Sequence, residues 1–223
     1  MEFIAITPGS FLMGSNDPQA VWDEKPPHRV TITQPFLISR QLVSIDEIRR
    51  FDANLKLNEK FAPIAAGISW TDAHRYCQWL TSKTGRAYRL PTEAEWERGA
   101  RGDFEQQDFP WGNEPPQSFP NYSARWQTGP EPVARYAPNA FGLYDVCDNV
   151  HEWCSDWYDP NYYAASPERN PRGPDQSPTN PQRKSSRGGS WRHHIKVSRC
   201  SARSSIPRGF HYADYGFRVA SSV

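Results

Sequence analysis

No stretch of this 223-residue chain approaches the run of about 20 apolar residues that crosses a bilayer. The sequence also lacks an excess of charge. Lys plus Arg number 26 against 25 Asp plus Glu, which leaves a net charge of +1. That balance offers no global attraction to nucleic acid or to an anionic membrane. The first residues, Met1-Glu2-Phe3-Ile4-Ala5-Ile6-Thr7, read as a short strand rather than a secretory leader. No CxxC spacing occurs among Cys77, Cys147, Cys154 and Cys200, so no zinc knuckle is expected. Buried, reduced thiols are expected instead. That expectation goes with a cytoplasmic location, unless the chain is one module of a longer protein. Apolar residues are scarce as well, at 37%, with a mean hydropathy of −0.81. The Leu, Ala, Glu and Lys richness of a helical bundle is missing.

What is abundant is unusual. Nine Trp, 10 Tyr and 11 Phe are joined by 21 Pro and 14 Gly. A disordered polar chain would lack those rings. A loop-rich globule can use them, because each aromatic buries a large area and Tyr and Trp carry a polar tip. Most cations are Arg, whose planar fork braces carbonyls and carboxylates. No internal repeat and no linker is evident, so the chain reads as one domain over residues 1–223.

Local signals place the elements. Phe3 to Ile6 and Phe11 to Met13 flank Pro8-Gly9, which predicts a hairpin. Val30-Thr31-Ile32 and Phe36-Leu37-Ile38 are two further strands. Ser44 with Glu47 has capping-box spacing and predicts a helix to about Ala53. Thr71 is placed as the cap of a second helix, in which Ala73, Tyr76, Cys77 and Leu80 recur at the helical period. Gly85 follows its end. Thr92 with Glu95 caps a third, short helix. From Arg101 to Lys184 long loops are expected, pinned by Gly142-Leu143-Tyr144-Asp145 and by Trp153-Cys154. Residues 168–184 read as a surface excursion, and strand pieces are expected between Arg187 and Val219. Glu93, Glu95 and Glu97 are placed as helix caps and partners of buried Arg, not as a catalytic acid cluster. Arg187, Arg199, Arg203 and Arg218 read as braces of the C-terminal loop.

Several runs carry a family resemblance. They are Pro8-Gly9-Ser10-Phe11-Leu12-Met13-Gly14-Ser15, Ile68-Ser69-Trp70-Thr71-Asp72-Ala73 and Tyr88-Arg89-Leu90-Pro91-Thr92-Glu93-Ala94-Glu95-Trp96-Glu97. Asn139-Ala140-Phe141-Gly142-Leu143-Tyr144-Asp145, Arg187-Gly188-Gly189-Ser190-Trp191 and Gly216-Phe217-Arg218 follow in order. The chain resembles the formylglycine-generating enzyme, or sulfatase-modifying factor, family. The resemblance implies an α+β fold, a variant of the C-type lectin fold with little regular secondary structure. The family includes copper oxidases that convert a sulfatase cysteine to formylglycine, iron-dependent sulfoxide synthases, a pyoverdine-maturation protein and the variable proteins of diversity-generating retroelements.

The chain departs from the copper oxidases at their metal. Those enzymes carry two cysteines shortly after Gly-Gly-Ser, because soft thiolates hold Cu(I). Here His193 stands where the first would be, and the shorter segment has no counterpart of the second. Where the family reads Gly-Asn-Val-Trp-Glu-Trp, this chain reads Asp148-Asn149-Val150-His151-Glu152-Trp153. The sequence thus leaves open whether the chain is an enzyme. The first expectation is a binding module for an unidentified protein or small molecule, acting as a monomer and without nucleic acid or membrane. Its cleft would be lined by Trp191, Arg192, His194, His211 and Tyr212. The alternative is a metal-dependent oxidoreductase built on His151 and His193, with Ser190 a third candidate and copper or iron as the ion. Formylglycine generation and a retroelement-diversified protein are lower alternatives. The resemblance also implies structural calcium, held by Asp145 with carbonyls of Val146, Asp148 and Val150. A second calcium is placed near Asn121 and Tyr122.

Overall fold

Each helix begins where a side-chain hydroxyl can take up an N–H that the first turn leaves without a partner. Helix α1 (Ile45–Phe51) carries the capping box of Ser44 and Glu47. Helix α2 (Trp70–Thr84) is capped two residues earlier than expected. Its cap is Ser69, whose Oγ accepts from the Asp72 N–H at 3.1 Å. Thr71 already lies inside the helix, and its hydroxyl donates to the Arg208 carbonyl at 3.3 Å. Gly85 ends α2 in the left-handed region, at φ 76°. Helix α3 (Glu93–Arg101) has the box of Thr92 and Glu95, as its spacing predicts.

The computed structural model describes residues 1–113, 129–147 and 149–223. Ten strands are present among them: β1 (Phe3–Ile6), β2 (Gly9–Met13), β3 (His28–Ile32), β4 (Phe36–Ser39), β5 (Tyr88–Arg89), β6 (His151–Trp157), β7 (Arg183–Arg187), β8 (Arg203–Pro207), β9 (Tyr215–Gly216) and β10 (Ala220–Ser222). They form one sheet of order β1-β4-β10-β5, a two-stranded β2-β3 sheet, and a third sheet of order β8-β7-β6-β9. The mixture of helix and strand is an α+β fold. The hairpin expected at Pro8-Gly9 does not form. β1 pairs with β4, and β2 pairs with β3. Pro8, with fixed φ and no N–H to donate, instead carries the chain from one sheet into another.

Strand β6 was not legible as a strand, because charged residues interrupt its apolar ones. Yet Glu152 and Asp156 are buried with Trp153 and Cys154. The ion pairs explain this. Glu152 receives both forks of Arg218, at 2.5 and 2.8 Å, and the Trp96 indole N–H at 2.7 Å. Glu93 faces Arg187 and Arg203, while Glu97 faces Arg101 and Arg187. Burial alone would push the Glu93 carboxyl up, but the two guanidiniums outweigh it and hold it below its ordinary value. Arg199 pairs with Glu24 at 2.5 Å. These acids and arginines therefore occupy core positions that most domains give to aliphatic side chains.

The rings divide among three apolar clusters. Trp96 lies in the first with Ile6, Ile38 and Cys200, Trp153 in the second with Tyr215 and Phe217, and Trp191 in the third with Ile64. Trp70 and Trp79 are only half-buried at the edge of the second. All four cysteines are buried, and none forms a disulfide. No described helix is long and apolar enough to cross a membrane.

Candidate functional site

The site forms where the third sheet meets the Gly-Gly-Ser turn. β6 and β9 run parallel, with His151 opposite Tyr215, and the His151 N–H donates to the Asp214 carbonyl at 2.8 Å. That pairing fixes Asp214 beside His151 despite their distance in sequence. From the other side, β7 ends at Arg187 and the chain turns through Gly188 and Gly189, at φ 88° and 63°. A Cβ on Gly189 would come within 2.8 Å of the Ser198 Cα and the Val197 carbonyl, so glycine is required there. The turn delivers Ser190 to the cleft, and His193 follows three residues on. The chain from Trp191 is a turn leading to a short 3-10 segment at Ile195–Val197.

Four polar side chains converge. His151 Nε2 lies 3.1 Å from His193 Nδ1. Ser190 Oγ donates to Asp214 Oδ2 at 2.8 Å and lies 3.2 Å from His193 Nδ1. The Arg192 N–H donates to Ser190 Oγ at 3.2 Å. His151, Ser190 and Asp214 are buried, while His193 is exposed at the rim. Burial lowers the pKa of His151 to about 3, with a further push from His193 against the pull of Asp214. Burial also lowers His193, and the Arg192 charge adds to that. Both imidazoles are therefore neutral at pH 7, the form that ligates metals. Among the described residues, one ligand atom each from His151, His193 and Asp214 lie within 4.8 Å of one another.

This order of contacts argues against a serine nucleophile. A Ser-His-Asp relay needs the carboxylate on the imidazole. Here the carboxylate takes the serine proton directly.

The other candidates are placed as follows. Trp191 is buried against Phe61, with ring centroids 4.7 Å apart, so it supports the cleft from beneath. The Arg192 guanidinium stands 3.9 Å from Asp214 Oδ1. His194 is exposed and outside the cluster. His211 is drawn away, within 3.0 Å of the Gly67 carbonyl and 3.6 Å of Asp72. Tyr212 is exposed and stacks near exposed Phe210, with centroids 6.2 Å apart. Tyr212 adjoins Tyr215 at 6.1 Å, and Tyr215 stacks on His151 at 4.7 Å.

Asp145 sits at φ 58°. Both of its oxygens accept from the Ala134 N–H, at 3.1 and 3.0 Å, and burial raises its pKa to about 6. Val146 and Val150 are buried beside it in sequence. Asp148, Asn121 and Tyr122 lie outside the described residues.

Sequence reasoning missed Asp214. A signal existed: it is the single acidic residue between Arg187 and Val223. A lone carboxylate in so basic a tail has a small choice of roles.

Comparison with known proteins agrees with this architecture. The sulfatase-modifying factor enzyme 1-like domain matches residues 1–223. The formylglycine-generating enzyme of Thermomonospora curvata is 30% identical, over 98% of this chain and 92% of that protein. The serine/threonine-protein kinase pkn1 of Chlamydia caviae is 31% identical over the whole of this chain. The chain spans 38% of that kinase's length. Among solved structures, PvdO from Pseudomonas aeruginosa superposes with a TM-score of 0.84 at 27% identity, covering 99% of this chain and 94% of that one. With a family model matching the whole chain and a relative 30% identical over 98% of it, the chain belongs to the sulfatase-modifying factor enzyme 1-like family.

Proposed function

We propose that this domain is a ligand-binding module of its family and does not generate formylglycine. The observation that carries this reading is the run of rings Phe210, Tyr212, Tyr215 and His151, which leads from the surface to the buried cluster. Exposed stacked aromatics beside a cluster of polar side chains suit recognition of an apolar or aromatic group with a few directed hydrogen bonds. The thiols support the same reading. His193 stands at the first cysteine position of the copper oxidases. Cys147, Cys154 and Cys200 belong to the first apolar cluster, and Cys77 to the second. Burial pushes the Cys77 thiol up to about 12 and raises Cys154 well above its ordinary value, which suits packing rather than metal chemistry.

Calcium at the Asp145 turn is part of this proposal. Its half-buried carboxylate has one backbone donor among the described residues, so an oxygen-seeking cation would compensate its partial desolvation.

The test has two arms. A Cys-x-Pro-x-Arg peptide is incubated with the protein and copper and read by mass spectrometry. No mass change is expected, and a change to formylglycine overturns the proposal. In parallel, an aromatic fragment set is screened by ligand-observed NMR against the wild type and a Phe210→Ala/Tyr212→Ala variant. Hits lost in the variant are expected; an absence of hits, or hits unaffected by the substitutions, overturns the assignment of the surface.

A further inference from the structure

The cluster beneath the aromatic run is short of protons. Ser190 has one hydroxyl hydrogen and directs it at Asp214. It therefore offers His193 Nδ1 only a lone pair. Among the described residues His151 Nδ1 is buried without a partner, so the ring's polar outlet is Nε2, which points at His193 Nδ1. Two neutral imidazoles facing each other can place one N–H between them. Around that single proton stand His151 Nε2, His193 Nδ1, Ser190 Oγ and the Asp214 carboxylate, with the Arg192 N–H already on Ser190 Oγ and the Arg192 guanidinium 3.9 Å from Asp214 Oδ1. Such a surplus of acceptors suits a cation better than a proton chain.

We propose that His151 Nε2, His193 Nδ1 and an Asp214 oxygen form a site for one divalent first-row transition metal ion. Two imidazoles and one carboxylate on one side of an ion leave its remaining positions open, the arrangement of two-His-one-carboxylate centres. The spacing favours particular ions. With metal–nitrogen bonds of about 2.1 Å, nitrogens 3.1 Å apart subtend about 95° at the ion. That is the cis angle of octahedral or square-planar coordination and is narrower than a tetrahedral one. Fe2+, Co2+, Ni2+ and Cu2+ thus fit better than a four-coordinate Zn2+. Neither ring loses a net proton on binding, because the N–H between them moves to the far nitrogen of its own ring, and the other ring already carries its proton there. Ser190 is a positioning residue: its hydrogen bond orients the Asp214 carboxylate toward the ion. The open positions would face the rim where His193 is exposed, next to the aromatic run.

The inference rests on the same cleft being the functional site, but it is tested by the ion itself, with no peptide or organic ligand present. Purified protein is titrated with Co2+ and followed by visible d–d absorption. One saturable equivalent is expected in the wild type. His193→Ala, at an exposed position, should bind at least tenfold more weakly while keeping the wild-type circular dichroism. Ser190→Ala should weaken binding about 10- to 100-fold, as the loss of an outer-shell partner does. His211→Ala, at the histidine drawn away to Gly67, should bind as the wild type does. No saturable absorption up to millimolar Co2+, or equal binding by His193→Ala, overturns the site. Binding lost in His211→Ala and retained in His193→Ala also overturns it.

Discussion

At the scale of single residues, burial decides protonation, and His151 shows it most clearly. Its pKa falls from 6.5 to about 3 because the folded chain desolvates the ring. Between those values the unfolded chain binds a proton at this position and the folded chain does not. Stability therefore declines as pH falls through that window, by at most about 1.4 kcal/mol per pH unit from this group. Above pH 6.5 the ring costs nothing. Urea melts of wild type and His151→Gln between pH 7 and pH 4 check this. The wild type should lose more stability than the variant as pH falls; equal losses would refute the assignment. Part of this was legible. His151 and His193 stood out at family positions normally held by other residues. Asp214 did not, because its role comes from lying next to β6, which no local pattern announces.

Secondary elements are governed by their ends. Ser69 and Thr71 both suit a helix start by residue type, and the structure selects Ser69. Its backbone is extended, at φ −74° and ψ 158°, as a cap requires, whereas Thr71 is already within the helix. Ser69→Ala should cost about 1 kcal/mol by chemical denaturation, in the range for a lost cap. Thr71→Ala should stay within about 0.5 kcal/mol, because its hydroxyl is replaceable by water. A reversal of that order would restore the sequence expectation. The capping boxes at Ser44 and Thr92 were legible because the box is a local device of four residues. The missed hairpin at Pro8-Gly9 has the opposite origin. The turn signal is real, but β1 pairs with β4, 30 to 36 residues on, and β2 with β3, 15 to 23 residues on, so the two strands enter different sheets.

For the whole molecule, low hydrophobicity and a buried interior are reconciled by ion pairs that cross the fold. Glu152 to Arg218, Glu93 to Arg203 and Glu24 to Arg199 tie segments far apart in sequence. Losing one partner of such a pair leaves a buried charge without compensation, so unfolding of one tied segment is expected to carry the others with it. Calorimetry should therefore show a single unfolding transition for residues 1–223, and two separable transitions would contradict a single domain. Calcium supplied at 100 times its dissociation constant should stabilise that transition by about 2.7 kcal/mol. In Asp145→Asn the calcium shift should disappear; a shift of equal size would move the ion elsewhere.

By itself the sequence determined the capping boxes at Ser44 and Thr92, several strands, the arginine braces and the family, because these rest on short-range chemistry or on ordered signature runs. Only the tertiary structure decided which strands pair, which acids meet which arginines, and which polar groups share the cleft. The reason is physical. Sheet register and the parallel β6–β9 pairing are long-range hydrogen-bond choices. They alone bring Asp214 and Ser190 against His151 and His193, and turn His211 away.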